Sequence, residues 1–266
     1  MILEQFNKSQ SGVVVRNTYD NNEFIFDDYL AEGYVEYLND DRSTWVRSTA
    51  EPRLMLLSYK LEGKTLNLNL KRTDWCQTNY IWDKYRKEEG FRDLVKANLH
   101  SCNYFPNSFS LHLIITSSEG FVLMGKNHPS KFNDYPSIWV FSLGEQIELA
   151  DTYSEDMIQA WVLRTLSEEL GISSKISDIF NLDSLDVLGL EFEDDIGNIA
   201  IVCNITTKIT KEHFFKVIHM NEELESLKWI SKEESYNLLN SISLINGSEF
   251  HPSTKDRLTL YYNFYK

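Results

Sequence analysis

The sequence predicts an α+β fold in two unequal parts, and three observations carry that expectation. Strand-like and helix-like segments alternate along the chain without an internal repeat. An Asn- and Ser-rich stretch containing Pro106, residues 100–110 (HSCNYFPNSFS), separates a helix-like run from a strong strand. Hydrophobic residues make up 42% of the 266 positions and aromatics 13%, enough material for more than one core. These observations place a smaller mixed α/β domain at 1–104 and a second domain at 105–266.

In the first part, residues 12–16 (GVVVR) and 23–26 read as short strands. Residues 53–61 and 65–70 alternate apolar and polar positions on either side of EGK, the pattern of a hairpin. Residues 83–99 read as helix. Aromatic side chains are dense here, Tyr34, Trp75, Tyr80, Trp82 and Tyr85 among them. Such rings are more often core than ligand-stacking surfaces. No chemical constellation stands out in this part.

The second part has a clearer order. LHLIIT at 111–116, the turn SSEG and FVLMG at 121–125 form a hairpin, followed by a loop at 126–136. WVFSL at 139–143 is a strand ending at Gly144. Ser154 is the expected N-cap of a helix reaching Leu170, and Gly171 its C-cap. Strands at 185–192 and 199–206 flank the acidic turn EDDIGN. A short strand at 227–230 and helices at 232–239 and 254–265 follow. This order builds a mixed sheet flanked by helices.

A formal net charge of −14 repels phosphate backbones and anionic lipid. Neither a nucleic-acid polymer nor a membrane is expected as partner. An acidic protein still binds a nucleotide when a metal ion intervenes. No run approaches the ~18 apolar residues of a membrane span, and MILEQFNKSQ lacks the basic start and apolar stretch of a signal peptide. A cytoplasmic location is expected. Cys76, Cys102 and Cys203 form no C-x-x-C pair, which indicates neither a zinc site nor a disulfide framework.

Chemistry concentrates in RTLSEELGI at 164–172. At about 100° per residue, Leu163, Leu166 and Leu170 share one helix face, while Thr165, Glu168 and Glu169 fan across another. Arg164 lies one turn before Glu168 and can pair with it. Both glutamates sit near the helix C-terminus, where the macrodipole disfavours negative charge, so a cation or an arginine has to stabilise them. The six histidines, His112 in a strand included, show no pair with metal-ligand spacing. Neither G-x-S-x-G nor a P-loop is present.

This run resembles a Nudix box, G-x5-E-x7-R-E-U-x-E-E-x-G-U with U a bulky aliphatic residue. Arg164, Leu166, Glu168, Glu169, Gly171 and Ile172 meet R-x-U-x-E-E-x-G-U. ELESLKWISKEE and HPSTKDRL resemble later Nudix segments. The resemblance covers residues 105–266. It implies an α/β/α sandwich with a mixed sheet and hydrolysis of a pyrophosphate bond in a nucleoside diphosphate linked to a group X. It also implies Mg²⁺ or Mn²⁺ bound by oxygen ligands. Glu169 would be the principal metal ligand and Glu168 a second ligand or base. Arg164 would orient the carboxylates, and a backbone carbonyl near Gly144 would add a ligand. The implied partner is a small nucleotide-type ligand, and a homodimer is a family-level expectation.

Three positions depart from the pattern. Thr165 stands where the family has a metal-binding glutamate. The upstream glutamate falls on Asp156. The leading glycine falls on Ala150, with Gly144 and Glu145 a better counterpart through a longer loop. Carboxylates placed to compensate for Thr165 are Glu145, Glu148, Asp151, Glu193, Asp194, Asp195, Glu222, Glu223 and Glu225. Lys126 and Lys131 are placed to touch phosphate. Two functions stay open: a divergent Nudix-type hydrolase, and a catalytically impaired Nudix-like domain that senses a nucleotide ligand as a regulatory module.

Overall fold

The computed structural model describes residues 1–39, 52–99, 105–129, 135–172, 176–220, 224–241 and 249–266. Cys102, Lys131, Glu222 and Glu223 lie outside these residues. The chain opens with β1 (Ile2–Gln5), β2 (Val14–Glu23) and α1 (Asp28–Asn39). The predicted hairpin is β3 (Pro52–Glu62) and β4 (Thr65–Asp74), with β2 parallel to β4. Together they form a three-stranded sheet of order β2-β4-β3. Asp74 then caps α2 (Trp75–Lys87) by accepting from the Gln77 amide at 2.7 Å, which satisfies one of the helix's orphan donors. Residues 83–99 are not one helix. The chain breaks at Glu88, whose backbone is extended, and restarts as α3 (Glu89–Ala97).

The second part follows with β5 (Ser110–Thr116), β6 (Val122–Asn127), β7 (Trp139–Val140) and β8 (Leu143–Gln146). A 3-10 turn (Leu149–Tyr153) leads to α4 (Met157–Leu170) and the short α5 (Ile176–Ile179). Next come β9 (Phe180–Glu193), β10 (Asn198–Thr207), α6 (Lys211–Val217), β11 (Leu224–Ile230), α7 (Lys232–Ser241) and α8 (Thr254–Phe264). The strands join in the order β1-β9-β10-β5-β6-β11, with β7 on β6 and β8 on β5. β10 and β5 run parallel and the other pairs antiparallel, so the sheet is mixed. Helices α4 and α8 flank it: α4 packs on β5 and β8, α8 on β1, β9 and β10.

The apolar stripe of α4 explains its seat. Trp161, Val162, Leu166 and Leu170 are fully buried, and the Trp161 ring meets Phe109 edge-on at 5.5 Å. Each such side chain contributes on the order of 1.5–3 kcal/mol. The predicted strand at 139–143 divides instead into two, because β7 pairs with β6 and β8 pairs with β5. Ser142, between them, turns its hydroxyl to the Arg257 guanidinium.

β1 lies in the large sheet beside β9, not in the small one. One hydrophobic cluster runs from Leu54, Leu68 and Tyr85 to Phe109, Phe192 and Leu260, continuous across residue 104. The Asn107 amide stitches the two parts by exchanging hydrogen bonds with the Leu56 backbone at 3.0 and 2.9 Å.

Candidate functional site

Arg164 joins α4 to the segment before it. Its Nε and Nη2 donate to both Asp151 oxygens, at 3.2 and 2.8 Å, and Nη2 also donates to the Gln146 carbonyl. Nη1 donates to Glu168 at 3.0 Å and lies 3.6 Å from Glu145 and 3.8 Å from Glu148. Arg53 reaches Glu148 from β3 at 3.1 Å. A planar fork with five donors suits this divided task. Asp151 is the buried partner, and it also accepts from the Glu148 amide at 2.9 Å. The 3-10 turn folds Asp151 back onto Arg164. Asp156, which the spacing places as the upstream acid, instead caps α4 by accepting from the Gln159 amide. The predicted cap Ser154 closes the 3-10 turn.

Glu145 and Glu168 are hydrogen-bonded to each other beside Arg164. Burial pushes the Glu145 carboxyl up to about 7; Arg164 opposes the rise and Glu168 adds to it. Glu168 is half-exposed, whereas Glu169 is buried, with 4% exposure. The two adjacent carboxylates therefore face different surroundings.

Glu169 and Gly144 wall one polar cavity of about 110 Å³, together with His112, Ser142, His251 and Arg257. Gly144 has a steric reason to be glycine: a Cβ there would lie 3.1 Å from His112 Nδ1. Gly171 closes α4 in the left-handed region at φ +61, where the His219 amide caps the Leu170 carbonyl at 2.9 Å. Thr165 is fully buried one turn before Glu169, and its hydroxyl donates to the Trp161 carbonyl at 2.9 Å. At 0% exposure the hydroxyl is not presented to a metal-bound water.

The cavity floor is a buried ion cluster that the sequence reading misses. Arg257 donates from Nε to Glu191 at 2.7 Å and from Nη2 to Glu193 at 2.6 Å. Its Nη1 donates to Ser142 at 3.0 Å, and Nη2 lies 2.9 Å from His112 Nε2. His112, Glu191 and Glu193 offer ligand atoms within 4.8 Å of one another. The guanidinium already occupies their focus as a fixed cation. Burial outweighs Arg257 at Glu191 and raises its carboxyl, whereas at Glu193 His112 and Arg257 outweigh burial and hold the carboxyl well below the usual range. Burial and Arg257 push His251 down to about 3, so its ring is neutral. Glu191 Oε2 is buried without a hydrogen-bond partner among the described residues.

Other acids singled out by sequence are placed apart. Glu225 pairs with Lys126 at 2.7 Å, which occupies that lysine. Asp194 and Asp195 bond Tyr85 and Tyr135 rather than each other. The local trace of the missed cluster is the two-residue spacing of Glu191 and Glu193, which sets both on one face of β9.

No family model and no curated protein matches this chain. Solved structures do. The MutT protein from Methanosarcina mazei is 14% identical over 60% of this chain and 96% of its own, with a TM-score of 0.41. A bifunctional NMN adenylyltransferase/ADP ribose pyrophosphatase from Francisella tularensis, complexed with AMP and a manganese ion, is 15% identical. It covers 66% of this chain and 46% of its own, at a TM-score of 0.43. An Ap4A hydrolase from C. elegans is 15% identical over 59% of this chain and 97% of its own, at 0.37.

Proposed function

We propose that residues 105–266 form a divergent Nudix-type hydrolase that cleaves a pyrophosphate bond in a nucleoside diphosphate-X compound, with Mg²⁺ or Mn²⁺ as cofactor. The observation that carries this reading is the cavity shared by Gly144 and Glu169. Arg164 supports it by tying the Gly144 segment to the helix that bears both glutamates. The donor set fits a hard cation. Its ligands would be oxygens, the Glu169 carboxylate in the cavity wall and the backbone carbonyl of Gly144 in the same lining. Behind Arg257, the buried Glu191 Oε2 without a partner among the described residues is a spare oxygen donor.

Glu169 and the Gly144 carbonyl would hold the ion, with Glu168 as second ligand or base. When bound, the metal neutralises phosphate charge and acidifies a coordinated water. Glu168, paired with the proton-holding Glu145, is placed to accept a proton at its carboxylate. Arg164 fixes the direction in which Glu168 points. The partner is a small nucleotide-type ligand.

A second reading has its own observation. Thr165 supplies no ligand and is bonded back to its own helix, which favours a catalytically impaired domain that senses a nucleotide. Turnover of nucleotide-sugars, dinucleotides and nucleoside triphosphates with Mg²⁺ or Mn²⁺ separates the two, alongside Mn²⁺ affinity by electron paramagnetic resonance. The hydrolase reading expects turnover that Glu169→Gln abolishes. If nothing turns over and Glu169→Gln still binds ligand, the sensor reading replaces it. Thr165→Glu puts a second carboxylate on the helix face of Glu169, one turn away. Tighter Mn²⁺ binding is the expected outcome; no gain would mean that this face of α4 is not presented to a cation.

A further inference from the structure

The acidic turn between β9 and β10 does something the proposed chemistry does not use. Its three consecutive carboxylates reach three different parts of the molecule. Glu193 points inward to Arg257 at 2.6 Å and accepts from Asn198 at 3.1 Å. Asp195 accepts from the Tyr135 hydroxyl. Tyr135 in turn packs edge-on against His251, with ring centroids 4.5 Å apart, and both rings wall the cavity. Asp194 points the other way, to the first part of the chain. Its Oδ1 accepts from the Tyr85 hydroxyl of α2 at 2.7 Å and from Lys96 Nζ of α3 at 2.6 Å.

The grip on Asp194 is firm. Tyr85 is 1% exposed, and its ring stacks edge-on against Phe192 at 6.0 Å. A hydroxyl buried that deeply needs its acceptor, since an unmet donor costs roughly 1–3 kcal/mol. Burial alone would raise the Asp194 carboxyl, but Lys96 and Tyr85 outweigh it and hold the acid ionised. The next residue on each side of Asp194 bears on the cavity, one on its floor and one on its wall. A shift of the Asp194 peptide therefore moves both.

We propose that the α2–α3 segment sets the shape of the cavity through this turn, with Tyr85 and Lys96 as positioning residues. The consequence is a place for a signal. Anything that loosens the Asp194 contacts reaches Arg257 and Tyr135 without touching α4. The inference concerns the cavity's shape and holds whatever the cavity binds.

Tyr85→Phe tests it in the full chain. The ring and its packing stay, and only the hydroxyl is lost. The readout is the imidazole proton resonances of His251 by NMR in the metal-free protein, assigned with a His251→Gln variant. Because the Tyr135 ring lies against His251, a moved wall changes its ring-current shift. Tyr85→Phe is expected to shift His251, and the pair Tyr85→Phe with Lys96→Met to shift it further in the same direction. Lys87→Met, on the same helix but paired with Asp83, is expected to leave it unmoved. Asp194→Asn should reproduce the Tyr85→Phe shift, and the two together should fall short of the sum of their separate effects. A His251 resonance that stays put in folded Tyr85→Phe, Lys96→Met protein overturns the proposal. So does a response to Lys87→Met of equal size.

Discussion

Replacing Glu145 with glutamine is expected to stabilise the protein above neutral pH, and to do so less and less as the pH falls toward 4.5. Burial holds the Glu145 carboxyl at about 7 against an ordinary 4.5. At ~1.4 kcal/mol per pH unit, ionising it in the folded state costs about 3 kcal/mol. The side chain is 24% exposed, so solvent screens part of this and about 2 kcal/mol is the expected reading. Between about pH 4.5 and 7 the folded state holds a proton here that the unfolded chain releases. The cost is therefore full above pH 7 and fades as pH falls through 7 toward 4.5. Glutamine imitates the protonated acid. Its amide can donate to Glu168, and its oxygen can keep the bond from the Gln146 amide, now 2.9 Å. Urea unfolding followed by tryptophan fluorescence, in EDTA and at steps from about pH 5 to 8.5, measures the difference. A variant more stable by about 2 kcal/mol at the alkaline end, and by only about 0.5 kcal/mol at pH 5, is expected. A difference that is flat with pH, or a variant less stable at pH 8.5, would refute the account of this carboxylate pair.

Two other substitutions probe the frame around the site. Arg257→Met strips the guanidinium from Glu191 and Glu193, both buried, and is expected to cost about 3–5 kcal/mol in the urea midpoint. A loss below about 1 kcal/mol would show that the cluster tolerates two unpaired acids and that its ion pairs are not as described. Gly189→Ala places a Cβ 2.2 Å from the Glu4 carbonyl, so β1 has to leave β9. A loss of about 1–3 kcal/mol is expected, together with rapid hydrogen exchange at residues 2–5. Retained protection there would show that the two strands can part slightly and stay paired.

What is legible in the sequence is what depends on near neighbours. The α4 stripe, its C-cap at Gly171 and the pairing of Arg164 with Glu168 all follow from spacings within two turns of helix. The β3–β4 and β5–β6 hairpins are equally local, each set by a short polar turn between two strand-forming runs. Asp151 is a different case. The spacing of the box, counted back from Arg164, lands on Asp156, which is taken up in capping α4. The 3-10 turn just upstream folds the chain back and delivers Asp151 to Arg164 instead. The cavity floor is less legible still. His112, Glu191 and Arg257 come from β5, β9 and α8, which only the sheet order and the covering helix bring together. Thr165 reads in sequence as a missing ligand. Its burial and its bond to Trp161 appear only once the face of α4 is seated against the sheet.

The seat of β1 has a consequence for how the chain assembles. Ile2 is paired with Glu191, so about 190 further residues must be made before β1 has a partner. At about 5–20 residues per second of synthesis, that partner emerges roughly 10–40 s after β1 itself. Throughout that interval Ile2 and Leu3 have no sheet to join, and the small sheet can form without them. Long-range pairings of this kind are closed late. The β1 edge of the large sheet is therefore expected to stay open until β9 is made, and a nascent chain stalled before residue 191 would present β1 to chaperones rather than to its own fold.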